Sequence, residues 1–153
     1  PNIKLLIIGG SFFGNTKGID PFIISLQEES KGIADSIVFT GFIPYEQIPS
    51  YLAMCDIAVV PSIWEDPFPT TILEAMATGL PIITTNSGGI AEACEGCAII
   101  INKNKNIADN IYNSILKLYR NVEVGKKMTD HCLRLSLKFN KGEYAISFFN
   151  SLQ

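Results

Sequence analysis

A chain of 153 residues with a formal charge of −3 and 47% apolar side chains has the length of one ordinary domain and enough apolar content for a sizeable core. The acidic balance, with no basic stripe interleaved with aromatics, argues against nucleic acid as a partner. No apolar run approaches the roughly 20 residues that cross a bilayer. The first predicted element is a strand over Ile3–Ile8, ending in Gly9-Gly10-Ser11. Glycine there permits a tight turn and close approach of a ligand. The run lacks the Gly-x-Gly-x-x-Gly spacing of a dinucleotide site, so turn chemistry is the first reading of Gly9 and Gly10. A helix is then predicted over Asp20–Ile33, a strand over Ile37–Thr40, a turn at Gly41-Phe42-Ile43-Pro44 and a helix over Tyr45–Met54. Strands follow at Ile57–Val60, Pro81–Thr84 and Ala98–Ile101, separated by helices at Thr70–Thr78 and Gly89–Ala93. Gly79 followed by Pro81 stops the first of these helices.

The apolar runs are too continuous for half-exposed antiparallel strands and read as parallel strands buried on both faces. Alternation of strand and helix favours right-handed crossovers and an α/β fold, a Rossmann-like doubly wound parallel sheet. After Ile101 only helical patterns remain, over Asn106–Arg120, Val122–Lys138 and Gly142–Leu152, and they read as a C-terminal helical tail. Cys94-Glu95-Gly96-Cys97 has the spacing of a metal knuckle, but no second pair accompanies it and the single histidine, His131, falls in the tail. A structural zinc site needs four ligands. Together with Cys55 and Cys132, these residues read as reduced, structural thiols. The basic stretch from Lys117 to Lys127 offers a contact to an anionic membrane surface, although solvated helix faces carry such charges more often.

The most informative segment is Trp64-Glu65-Asp66-Pro67-Phe68-Pro69-Thr70-Thr71-Ile72-Leu73-Glu74, a Pro-rich loop that opens into a helix between two carboxylates, Asp66 and Glu74. A helix N-terminus presents unpartnered N–H groups and a partial positive charge, so a loop ending at Thr70-Thr71 can hold a diphosphate without a basic side chain. Glu74 lies about one turn inside, where it can accept from a sugar's vicinal hydroxyls, and Asp66 can do the same for a second sugar. Gly88-Gly89 reads equally as a structural turn or as a pair of backbone donors at a helix start. Trp64, Phe68 and Tyr45 are aromatics near strand ends, which are more often core than pocket, and only Phe68 gains weight from its place beside the motif.

These residues resemble the C-terminal domain of the retaining, family 4 type glycosyltransferases of the GT-B fold. That family carries a Glu, seven residues, then a Glu; here Asp66 through Glu74 keeps the spacing with Asp in the first place, and Glu65 is an acid one position out of register. Further matching pieces are Thr40-Gly41-Phe42-Ile43-Pro44, Met54-Cys55-Asp56-Ile57-Ala58-Val59-Val60-Pro61-Ser62, Glu74-Ala75-Met76-Ala77-Thr78-Gly79-Leu80-Pro81 and Ser87-Gly88-Gly89-Ile90-Ala91-Glu92. The resemblance implies half of a GT-B fold that binds a nucleoside diphosphate sugar and passes a hexosyl group to a carbohydrate or lipid-linked acceptor, with no metal. It implies Asp66 and Glu74 as the catalytic carboxylates. Gly9, Gly10, Gly41, Phe42 and Ile43 would face the nucleotide, and Phe68, Thr70 and Thr71 would give main-chain donors to the distal phosphate, with Pro69 shaping the loop.

The resemblance also implies a preceding strand ending in Gly-Arg and a Lys-Gly pair that hold the diphosphate, together with an N-terminal acceptor domain. The expectation is therefore a fragment that is inactive alone, with its sheet either re-paired or completed by self-association or another chain. In the strand order 3-2-1-4-5-6 the unfilled position would be the third. Cytoplasmic residence, docked peripherally on the inner membrane face, is implied by the family's use of activated sugars. Two other readings are a nucleotide-sugar epimerase of the same architecture and an inactive nucleotide-sugar-binding module.

Overall fold

The computed structural model describes residues 3–10, 21–143 and 150. Five strands are present among them: β1 (Leu5–Ile7), β2 (Ile37–Phe39), β3 (Ala58–Val60), β4 (Ile82–Thr85) and β5 (Ala98–Ile101). The helices are α1 (Pro21–Glu29), α2 (Ile48–Leu52), α3 (Thr70–Ala77), α4 (Ile90–Ala93), α5 (Ile107–Arg120) and α6 (Val122–Ser136), with 3-10 turns at Lys31–Ser36, Tyr45–Gln47 and Leu137–Phe139. No helix among the described residues is long and apolar enough to cross a membrane. The chain divides into two compact units, residues 1–51 and 52–153.

In the first unit β1 and β2 pair in parallel, Leu5 opposite Ile37 through Ile7 opposite Phe39. Pro21 opens α1, where its missing N–H costs nothing. The predicted continuation to Ile33 breaks into a 3-10 turn with Ile33 out of helical geometry; Gly32, a poor helix former, lies beside the break. The predicted helix Tyr45–Met54 likewise resolves into a 3-10 turn followed by the short α2. Pro49 belongs in a helix's first turn and so sets where α2 begins.

In the second unit β3, β4 and β5 form a parallel sheet in that order. Every residue of β4 is buried, as a central strand covered on both faces requires. Ile82 joins one apolar cluster with Ile72 and Met76 of α3, Ile90 of α4 and Cys132 of α6. Ile83, its neighbour on the opposite face, packs with Leu118 of α5 and Met128 of α6. The sheet is thus doubly wound, as the uninterrupted apolar runs require. The single sheet expected from the alternation is two pairing groups, β1-β2 and β3-β4-β5. Of the predicted tail helix Gly142–Leu152, only Gly142, Glu143 and Asn150 are described; the remainder lies outside the described residues.

The cysteines belong to the core. Cys94, Cys97 and Cys132 are fully buried, and each thiol donates to a main-chain carbonyl, of Ile90, Cys94 and Leu80 respectively. Burial pushes the Cys94 thiol up to about 12 and raises Cys55. Thiolate is the reactive form. Because Cys94, Cys97 and Cys132 are all fully buried, a polar disulfide reagent is expected to leave them unlabelled in the folded chain and to label all of them in denaturant; fast labelling of any of the three under native conditions would contradict this packing.

Candidate functional site

In the second unit the loops after β3, β4 and β5 meet at the carboxyl ends of these strands, the position at which open parallel sheets bind ligands. A buried hydroxyl ladder fixes the first loop to the second. Thr84 Oγ1 donates to the Val60 carbonyl at 2.8 Å, Ser87 Oγ donates to the Ser62 carbonyl at 2.8 Å, and Thr85 Oγ1 donates to the same Ser62 carbonyl. Thr84, Thr85 and Ser87 are each no more than 1% exposed, so these bonds form where an unpaired hydroxyl would be costly.

Beyond Ser62 the chain runs through an exposed tip. Trp64 is 79% exposed and, in the first unit, Tyr45 is 70% exposed, which overturns core packing as the reading of these two aromatics. Asp66 then forms an Asx turn, its Oδ1 accepting from the Phe68 N–H at 3.0 Å. The Phe68 N–H, expected as a phosphate donor, is engaged in this turn. The Phe68 ring lies against Phe139, with centroids 5.3 Å apart and a tilt of 51°.

Pro69 is buried at the N-cap position of α3, and no side chain caps the helix. The first turn's N–H groups have no intrahelical acceptor, and those of Thr70 and Thr71 have no other partner among the described residues. Ile72, Ala75 and Met76 anchor the helix, buried at the i, i+3, i+4 spacing of an inward stripe. Its far end closes as a Schellman motif: Leu80 N–H donates to the Ala75 carbonyl, Gly79 N–H donates to the Met76 carbonyl, and Gly79 sits at φ +74. Glu74 is half-buried on this helix. Burial pushes its carboxyl above the usual glutamate range, and among the described residues nothing hydrogen-bonds to that carboxylate.

The Gly88-Gly89 turn after β4 packs directly on the Asp66 loop. Gly89 N–H donates to the Asp66 carbonyl at 3.0 Å, and Gly88 N–H donates to Glu65 Oε2 at 2.5 Å. Both donors are therefore engaged by the protein. Glu65 Oε1 forms an ion pair with Lys103, from the loop between β5 and α5. Hydrogen bonding from Lys103, then from Gly88, holds the Glu65 carboxyl below the usual range. In the first unit, the strand ends bring Gly9 and Gly10 beside Gly41 and Phe42. Gly9 N–H donates to the Gly41 carbonyl at 3.2 Å, and a Cβ on Gly10 would stand 3.0 Å from the Phe42 nitrogen. Phe42 is exposed and Ile43 half-buried.

Residues 1–130 match the model of the family described as "Glycosyl transferases group 1". The chain belongs to the glycosyl transferases group 1. Among curated relatives of this group 1 chain, YtcC of Bacillus subtilis (strain 168), named as a glycosyltransferase, is 33% identical over 131 residues, which are 84% of the chain and 32% of the relative. The GDP-mannose-dependent alpha-(1-6)-phosphatidylinositol monomannoside mannosyltransferase of Mycolicibacterium smegmatis is 31% identical over 100 residues, 60% of the chain and 24% of the relative. The chain thus spans a third or less of these relatives' length. Among solved structures, Anabaena Alr3699/HepE in complex with UDP-glucose superposes with a TM-score of 0.80 at 21% identity, covering 100% of the chain and 42% of that protein. The group 1 chain has the α/β fold of GT-B glycosyltransferase domains.

Proposed function

We propose that this group 1 chain is the donor-binding half of a retaining, family 4 type glycosyltransferase that moves a hexosyl group from a nucleoside diphosphate sugar to a carbohydrate or lipid-linked acceptor. The observation that carries this reading is the uncapped start of α3, with the Thr70 and Thr71 N–H groups unpartnered and the carboxylates of Asp66 and Glu74 on either side. The structural neighbour's complex with UDP-glucose and the GDP-mannose in the mannosyltransferase's name support a nucleoside diphosphate sugar as the ligand.

The diphosphate lies against the Thr70 and Thr71 N–H groups, and Pro69, lacking an N–H, shapes the approach. Glu74 accepts from the donor's ribose hydroxyls. The Asp66 oxygen that is not used in the Asx turn accepts from hydroxyls of the transferred sugar. As the glycosidic bond lengthens, charge accumulates on the leaving diphosphate, and preorganised N–H dipoles stabilise that charge more than the ground state. The acceptor attacks from the face the diphosphate leaves, and the leaving phosphate takes its proton, so no metal is required.

Calorimetric titration with UDP-, GDP- and ADP-glucose tests the reading. One of the three is expected to bind and to raise the melting temperature by mass action, and α3 variants with proline at Thr71, which delete one N–H, are expected to bind it more weakly. Failure of the wild-type chain to bind any of them would overturn the proposal.

A further inference from the structure

Glu65 is the acid that the carboxylate spacing leaves aside, yet it makes the contacts that join three loops. Its two oxygens are divided between the Gly88 N–H, after β4, and the Lys103 ammonium, after β5. Next to it, the Gly89 N–H holds the Asp66 carbonyl. The turn from Glu65 to Phe68 has little burial to fix it: Glu65, Pro67 and Phe68 are exposed and Asp66 is half-buried. Hydrogen bonds and one ion pair therefore do what a core does elsewhere. Lys103 also balances the charge of Glu65, which would otherwise add to that of Asp66 beside an anionic ligand.

We infer that Glu65, clasped between Gly88 and Lys103, is a positioning residue that fixes the Asp66-Pro67-Phe68 turn against the sugar end of the donor. This rests on the donor reading above. Glu65 touches no reacting atom; it acts by setting where the Asp66 carboxylate stands. The effect falls on the sugar and not on the nucleotide, because the phosphate donors belong to α3, which is anchored separately by Ile72, Ala75 and Met76.

The test compares the chain with Glu65→Ala, Lys103→Met and the double variant. Each is titrated with UDP-, GDP- and ADP-glucose and with the corresponding free diphosphates, and amide exchange is followed at Gly88. Each single variant is expected to bind the sugar nucleotide that wild type binds about tenfold more weakly, the scale of one charge-assisted hydrogen bond at a partly exposed site. Affinity for the matching free diphosphate is expected to stay unchanged, and the double variant to be no weaker than Glu65→Ala. A clasp that served folding alone would lower both affinities in parallel. Parallel loss, or no loss, overturns the inference and leaves the donor reading standing. If wild type binds no sugar nucleotide the donor reading fails, and Gly88 then decides the clasp by itself: faster exchange in Glu65→Ala is expected, and unchanged exchange overturns it.

Discussion

Glu74→Gln is expected to weaken binding of the sugar nucleotide by roughly 10- to 100-fold, the equivalent of one or two hydrogen bonds to a charged group, while leaving the chain at least as stable as wild type at neutral pH. The two halves of this expectation have one cause. Glu74 is half-buried with no hydrogen-bond partner among the described residues, and burial raises its pKa. Between the ordinary glutamate value and that raised value the folded chain binds more protons than the unfolded chain, so stability falls as pH rises through this window. At neutral pH the ionised carboxylate is a cost to the empty fold, which glutamine of the same shape and similar helix propensity removes. On the donor reading proposed above, sugar hydroxyls supply the donors the carboxylate lacks and favour its ionised form. Donor affinity is therefore expected to fall with acidification, starting above the ordinary glutamate range, and this limb should vanish in Glu74→Gln. Calorimetry across pH, run with a sugar nucleotide to avoid a terminal phosphate that titrates near ~6, checks the profile. A variant that binds as tightly as wild type would remove Glu74 from the site.

Much of this architecture was legible because it is written in local patterns. Five apolar runs gave five strands, and Ala98–Ile101 coincides with β5, but burial at every residue, which the continuous runs predict, holds only for β4, while Leu5 of β1 and Val38 of β2 are exposed. The Gly79-Leu80-Pro81 stop matches a Schellman motif for an equally local reason. The clasp was not legible. Glu65 and Lys103 are 38 residues apart, they meet only because β3, β4 and β5 are adjacent, and nothing in the residues around Lys103 marks it. Glu65 left a trace only as an acid beside the expected one. The aromatics misled in the opposite direction: Trp64 and Tyr45 follow strand ends, where the usual side chain points inward, but Trp64 lies in a loop and Tyr45 opens a 3-10 turn, and both are exposed. The two glycines were ambiguous for a further reason. Gly88-Gly89 reads as a ligand turn or a structural turn until it is known what fills the space where two Cβ atoms would be, and that space holds the backbone of the Asp66 loop.

That space makes Gly89→Ala the cleaner of the two steric tests. A Cβ on Gly89 would stand 2.1 Å from the Pro67 carbonyl oxygen, and one on Gly88 would stand 2.2 Å from the Asp66 carbonyl oxygen. Both obstacles are backbone, so neither can swing aside as a side-chain end would. Gly88 also has φ +50, where any L side chain adds roughly 1–2 kcal/mol, whereas Gly89 sits at φ −82 and isolates the collision. Gly89→Ala is expected to cost about 1–3 kcal/mol, the range for overpacked sites, which is a fall of roughly 2–12 °C in Tm at this chain length. Gly125→Ala is the matched control. Gly125 lies within α6, and its added Cβ would meet only Pro81 Cγ, at 4.0 Å, so alanine there is expected to raise stability by about 0.4–1 kcal/mol. The relief of strain in Gly89→Ala can come only from moving the Pro67 backbone away from the β4 loop, which carries Asp66 and Phe68 with it. Its loss of sugar-nucleotide affinity should therefore exceed its loss of affinity for the free diphosphate. Equal Tm values for Gly89→Ala and wild type would mean that the two loops do not approach as closely as the backbone contacts require.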